Sequence, residues 1–435
     1  MVLLAFRYAA GLPTKYKRGG TMKIIVVNCG SSSLKYRIIS MPEEKEIAGG
    51  EAQRIGPKTA EPSRIIHRVG EKTETHLVEM RNHAEALEEV RKLLSRDSSI
   101  APDAFGHRVV HGGGIFSSAA QITAGSARDL EKIKHLAPIH NPPAMEVIYA
   151  CEKAYPGLPS VAVFDTAFHA TIPDFASTYC IPREITEKLK IRKFGFHGTS
   201  HQFVAEEAAR IMKRPFNEFS AVSCHLGSGG ASICAIVNGK SVDNTMGYSP
   251  LQGLVMSTRC GDLDPALTLN LLQHFIGSTT DVERLLNTRS GVLGMSGSSA
   301  DIRDILSMNR KSSGNTRSHH TAEAYLWRIK KYIGSYLAVV GKPDALIFTD
   351  TIGETIPQVR WAVCSDMEYF GLKIDAGKND HADVLPSDVS HKDSSIKILV
   401  VATNEELAIA RRTYGLLSEN HNFLWNKKLT NNYLK

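Results

Sequence analysis

The sequence is short of several features that would commit it to a class. No apolar run approaches the ~20 residues that a helical membrane span needs, so no membrane partner of that kind is expected. The seven cysteines, at 29, 151, 180, 224, 234, 260 and 364, are scattered and include no C-x-x-C pair. An odd, unpatterned set reads as reduced thiols, and the expected location is cytoplasmic. A Walker A loop, G-x-x-x-x-G-K-[ST], is missing. No block of Lys and Arg is dense enough for nucleic acid, and the formal net charge of +7 suits only a protein that handles anions. What is present is ordinary for a globular chain, with 42% hydrophobic and 22% charged residues. A length of 435 residues exceeds what one core usually holds, so two domains are expected.

The first 21 residues carry four basic groups and no acid. A targeting peptide is conceivable, and a dispensable extension before the start-like Met22 is the preferred reading. From there strands and helices alternate, which sets the class as α/β. "MKIIVVNCGSSSLKYRIIS" reads as strand, small-residue turn, strand. "SVAVFD" is a buried strand ending in an acid, and the spans 264–275 and 355–370 read as helices. "NRKSSGNTRSHH" reads as a loop ahead of a long helix over 321–340. A duplication shows faintly. "IIVVNCGSSSLKYRII" and "AVSCHLGSGGASICAI", about 200 residues apart, share the plan of strand, small residues, strand.

Several residues suit anion chemistry. Small-residue turns let backbone N–H groups wrap an anion, with Lys35 beside the first turn and His225 before the second at Gly227–Gly230. Arg108, at a strand end before a glycine turn, and Arg259, in "MSTRCGDLDP", can each bind carboxylate or phosphate as a fork. Either alone is more often a surface ion pair. Asp165 at a strand's C-terminal end faces a ligand crevice or caps the next turn, and His197 in "FGFHGTSH" has a buried structural role as its rival. Asn28 and Glu405 offer hard oxygens suited to Mg²⁺, although Glu405 also fits as a first-turn helix acid.

Taken in order, "VVNCGSSSLKY", "GHRVVHGG", "LAPIHNPP", "FDTAFH", "FGFHGTSH", "CHLGSGG", "MSTRCGDLDP" and "TNEELAIARR" resemble the acetate kinase family from about Met22 to Leu417. That resemblance implies two duplicated actin-like (ribonuclease H-like) α/β domains with a ligand cleft between them, in a homodimer. It implies a disordered extension at 1–21 and a first domain at 22–166 completed by a C-terminal helix at 404–418. A second domain on the phosphoryl-donor side at 167–403 and a polar tail at 419–435 complete the plan. The implied reaction is reversible, Mg²⁺-dependent phosphoryl transfer between ATP and acetate, giving acetyl phosphate and ADP, with Mn²⁺ a possible substitute.

Carried over by motif, Asp165, His197 and Arg259 are implied as catalytic, Asn28 and Glu405 as the magnesium-site residues, and Lys35 as a phosphate neighbour. Arg108 would hold the acetyl substrate, with Val110, Ile139, Phe196 and Pro250 lining the pocket of its methyl group. His225, Leu226, Gly227, Ser228 and Gly229 would line the nucleotide site. So would Asp301, Ile302 and Arg303, together with Thr351, Ile352, Gly353, Glu354 and Thr355. The family pattern bends on the donor side only. Ser228 stands where Asn is usual, Ser257 where Gly is usual, and "FTDTIGET" replaces "FTxGIGEN", bringing in Asp350, Thr351 and Thr355. Two alternatives follow from that: a kinase that uses pyrophosphate and phosphate in place of ATP and ADP, or a binding relative that has lost turnover.

Overall fold

A computed structural model describes residues 20–418, apart from 31, 57–60, 139, 276 and 312–315. All of the expected extension except Gly20 and Thr21, the polar tail 419–435 and Ile139 lie outside the described residues. The chain divides into two compact units. One runs up to Ala167 and takes up the chain again from Asn404; the other is Phe168–Thr403.

The first unit is built on an eight-stranded sheet in the order β5-β4-β3-β2-β1-β6-β8-β7. Its strands are β1 (Met22–Cys29), β2 (Ser33–Met41), β3 (Lys45–Gln53), β4 (Arg64–Val69), β5 (Lys72–Leu77), β6 (Ala104–Val109), β7 (Ala120–Gln121) and β8 (Ser160–Phe164). β1 pairs antiparallel with β2 and parallel with β6, and β6 pairs parallel with β8. Side chains alternate across a strand. Ile25 and Val27 therefore join one core with Ala86, Leu87 and Val90 of the helix His83–Leu94, while Met22, Ile24 and Val26 join another with Ile409, Ala410 and Tyr414. Both faces of β1 are covered, which is why it reads as a continuous apolar run.

The helix Glu405–Leu417 is what returns the chain to this unit. It crosses β6 at Gly106, where an added Cβ would sit 2.7 Å from Thr413 Oγ1 and 2.8 Å from Ile409 Cγ2. Only glycine admits so close a crossing.

The second unit carries a six-stranded sheet in the order β11-β10-β9-β12-β14-β13. These strands are β9 (Ala221–Leu226), β10 (Ala231–Val237), β11 (Lys240–Asn244), β12 (Ala345–Thr349), β13 (Ser387–Asp388) and β14 (Lys397–Val400). β9 pairs antiparallel with β10 and parallel with β12, β12 pairs parallel with β14, and β13 pairs antiparallel with β14. Strand for strand this repeats β3-β2-β1-β6-β8-β7 of the first unit. The faint duplication of the two hairpins is therefore a duplication of whole sheets, to which the first unit adds the β4–β5 ribbon.

Three local expectations are corrected. The helix expected over 355–370 is instead a short helix Asp350–Thr355 leading straight out of β12, a second helix Pro357–Cys364, and a final turn Glu368–Phe370. Pro357 has no N–H to offer and pushes Ile356 out of the helical region, to φ −115° and ψ 88°. The expected helix 264–275 is helical only over Pro265–Asn270 and then widens into a π turn, Leu271–Phe275. The stretch expected as a loop is helical on both sides of 312–315, in Ile302–Lys311 and Thr316–Val340. Among the described residues no helix is long and apolar enough to cross a membrane.

Candidate active site

In the first unit the strand alternation delivers the site. Met22, Ile24 and Val26 of β1 and Val161 and Val163 of β8 face the helix Glu405–Leu417, as does Gly106 of β6. Two residues further along each strand on that same face stand Asn28, Asp165 and Arg108, at the C-terminal ends of three adjacent parallel strands. Ligands of open α/β sheets gather at such ends. Glu405 opens the covering helix, whose cap Asn404 accepts from Leu407 N at 3.0 Å.

The four side chains meet. Arg108 Nε donates to both oxygens of Asp165 at 3.1 Å, and Nη2 donates to Oδ2 at 2.7 Å. Nη1 lies 3.4 Å from Glu405 Oε2 and 3.3 Å from Asn28 Oδ1. Burial disfavours the guanidinium's charge, and the facing carboxylates of Asp165 and Glu405 more than restore it, so the pKa lies above the ordinary arginine value. Two carboxylates and one amide oxygen against one guanidinium leave a net negative, all-oxygen donor set, which fits a small hard cation such as Mg²⁺. Lys35 of β2 is opposite Asn28 in register and exposed. Val110 is half-buried just past β6.

In the second unit, β9 and β10 present Ser223, His225 and Ser232 on one face to the helix Gly198–Ile211. His197 precedes that helix in the left-handed region at φ 57°, an uncommon conformation for a residue with a side chain. Its Nδ1 is hydrogen-bonded to Ser232 Oγ at 2.9 Å, and Ser232 Oγ also meets His201 Nε2 at 2.8 Å. His201 Nδ1 meets Ser223 Oγ at 2.9 Å. Burial, aided by His169 and His225, pushes the His201 pKa well below its ordinary value, so this ring is a neutral link in the chain. Ser200 Oγ joins His225 Nδ1 at 2.9 Å and Thr403 Oγ1 at 3.0 Å. The rings of His197 and His225 lie 4.2 Å apart.

These groups surround the glycine turn between β9 and β10. A Cβ added at Gly230 would lie 3.4 Å from His197 Nε2 and 3.6 Å from Arg259 Nη1. Burial lowers the pKa of Arg259, and among the described residues it makes no ion pair. Gly227, Ser228, Asp301, Ile302 and Ile352 line one recess together with Met256, Ser257 and Tyr325. Ser228, Ser257 and Asp350 meet on this turn. Ser257 Oγ donates to the Ser228 carbonyl, and a Cβ on Gly227 would lie 2.3 Å from Asp350 Oδ2.

Other expected residues are placed apart from the recess or are occupied. Arg303 is folded onto Asp301, its Nε donating to both carboxylate oxygens at 2.9 Å. Glu354 and Thr355 line a separate pocket with Arg360 and Asn379. Glu354 Oε1 accepts from Asp350 N at 2.8 Å and Thr403 N at 2.9 Å, so this carboxylate serves its own turn. The Gly353 carbonyl accepts from the buried Arg360 at 2.9 Å. The side chains of Leu226 and Phe196 are core, while Pro250 is half-buried and Gly229 exposed. Ser200, His201, Ser232 and Thr403 received no role from the sequence. The closeness of His201 to His197 in "FGFHGTSH" was the one signal that joined any of them to the site.

The sequence profile of the acetokinase family matches residues 23–411. The chain belongs to that family. An acetate kinase of Pseudothermotoga lettingae is 46% identical over 400 residues, covering 90% of this chain and 96% of that protein. One from Alkaliphilus metalliredigens is 45% identical over 403 residues, covering 91% and 100%. Among solved structures, the Porphyromonas gingivalis acetate kinase superposes with a TM-score of 0.84 at 36% identity, covering 91% of this chain and 100% of that one. A propionate kinase from Francisella tularensis gives 0.83 at 37%, covering 90% and 98%.

Proposed function

We propose that the chain is an acetate kinase, transferring a phosphoryl group reversibly between ATP and acetate to give acetyl phosphate and ADP. What carries the reading is the gathering of His197 and Arg259, a half-buried cation free of ion pairs among the described residues, at a glycine turn. Such a place is built for an anion. The acceptor is a carboxylate already ionised near neutral pH, so no strong base is required. The barrier lies in bringing anions together, which fixed positive groups lower.

In this reading Arg108 binds the acyl substrate's carboxylate. Asp165 acts mainly by orienting Arg108, since their fork is the closest contact either makes among those described. His197 and Arg259 neutralise the phosphoryl oxygens, and the Ser232–His201 chain fixes the His197 ring. Asn28 and Glu405 would hold Mg²⁺, which when bound supplies further neutralisation of phosphoryl charge. Val110 bounds the acyl methyl. One methylene alters affinity by only ~1–3 kcal/mol, so propionate should be tolerated. Gly227, Ser228, Asp301 and Ile352 receive the nucleotide.

The likeness to acetate kinases over nearly the whole chain does not favour a pyrophosphate-using variant. The test is to supply acetate, ATP and Mg²⁺ with hydroxylamine as a trap. Acetyl hydroxamate that depends on acetate, ATP and Mg²⁺ supports the reading; its absence rejects it.

A further inference from the structure

His225 is 5% exposed and held at both ring nitrogens. Nδ1 is bonded to Ser200, and Nε2 lies 2.9 Å from Asp350 Oδ2. The Nε2–H group is therefore already given to a carboxylate. That carboxylate is fixed in turn, because its Oδ1 accepts from Thr351 N at 2.6 Å and from Thr351 Oγ1 at 3.0 Å. Its Oδ2 fills the space that a side chain on Gly227 would take, while the Gly227 N–H is given to the Gly230 carbonyl at 3.0 Å. Asp350 sits at φ 63°, in the left-handed region that a residue with a side chain seldom adopts. The backbone accepts strain at the one position that brings this carboxylate to the turn. On the other side, Ser257 holds the Ser228 carbonyl.

We infer that Asp350 is a specificity-determining residue of the donor site, acting as a tethered competitor of the donor's phosphate. This rests on the acetate kinase reading and deepens it. To an N–H group a carboxylate oxygen and a phosphate oxygen are the same kind of partner, an anionic acceptor at hydrogen-bond distance. His225 Nε2–H cannot serve both at once, and the space over Gly227 cannot hold both. Gly227 also lines the recess proposed for the nucleotide, and Asp350 Oδ2 lies over that glycine, so a phosphate reaching it from the recess meets a negative charge. The Asp350 side chain is 28% exposed, which lets it swing aside. Donor affinity is then the difference between two anions bidding for one histidine and one turn. The other titratable groups around His225 are His197 and His201, with Arg259 across Gly230. These are cationic or neutral and favour either anion alike.

The experiment is calorimetric titration of the full chain with a non-hydrolysable ATP analogue and Mg²⁺, comparing wild type with Asp350→Asn and Asp350→Gly. Asn and Gly both accept a left-handed backbone, so the turn is retained in each variant. Both should bind the analogue about two- to fivefold tighter than wild type, the scale expected for losing one such contact. Equal or weaker binding by the variants, with wild type binding normally, overturns the competitor and leaves the kinase assignment standing. Weaker binding is what a residue that merely positions His225 would give. Tighter binding by Asp350→Gly alone traces to the backbone and also overturns it. No binding by any of the three overturns the competitor and the assignment together.

Discussion

Arg108 grips Asp165 with two nitrogens, Nε 3.1 Å from both carboxylate oxygens and Nη2 2.7 Å from one, at the ends of neighbouring parallel strands. Asp165 is 1% exposed, and this guanidinium is its closest partner among those described. Removing one partner of a buried pair costs about 3–5 kcal/mol. Arg108→Ala should lose stability on that scale in urea titrations and show no measurable turnover. Arg108→Lys keeps the charge but not the fork, and should be nearer to wild type in stability than in activity.

Arg259 presents the opposite case. It makes no ion pair among the described residues, so the fold does not lean on its charge. Arg259→Ala should cut turnover by ~10²–10³ through loss of transition-state stabilisation, with the melting temperature almost unchanged. Near-normal turnover would remove Arg259 from the chemistry.

The C-terminal helix brings Glu405 to the site only because β6 carries Gly106 beneath it. In Gly106→Ala the new methyl meets Thr413 and Ile409 at under 3 Å. Overpacking of this kind costs about 1–3 kcal/mol. The variant should melt earlier and need more Mg²⁺ for half-maximal rate, because the helix start is displaced. At Gly114 an added Cβ meets nothing within 4 Å, so Gly114→Ala is the matched control and should leave both unchanged.

Asp350 makes a prediction about acid stability. Burial would raise its pKa, but the His225 hydrogen bond and charge, with the Thr351 amide, outweigh this and hold it below the ordinary carboxylate value. A carboxylate depressed in the folded state contributes stability above its unfolded pKa, and loses it as the pH falls through the folded value. Wild type should therefore exceed Asp350→Asn in stability near about pH 6, and the gap should close progressively below about pH 4. Chemical denaturation at several pH values reads this directly.

Much of the first unit's cluster of candidate residues was legible in the sequence for a simple reason. Asn28, Arg108 and Asp165 each close an apolar strand of period two, and a polar residue in that place must look out of the sheet's end. The hairpin duplication was visible because small-residue turns between apolar strands are local. The Asp350–His225 pair was not legible. It depends on the parallel register that sets Thr349 beside His225 across a long crossover, and no local pattern encodes that register. The inward turn of Glu354 was hidden likewise, since its partner Thr403 N arrives from another strand's end. The break at Ile356 was legible in Pro357, and the expectation of one long helix over 355–370 passed over it.

The most direct measurement of the central claim is phosphorus NMR of the purified chain with acetyl phosphate and Mg²⁺, given ADP in one sample and orthophosphate in another. The account predicts ATP in the first and no pyrophosphate in the second. Pyrophosphate in the second sample without ATP in the first, or no turnover in either, would contradict it.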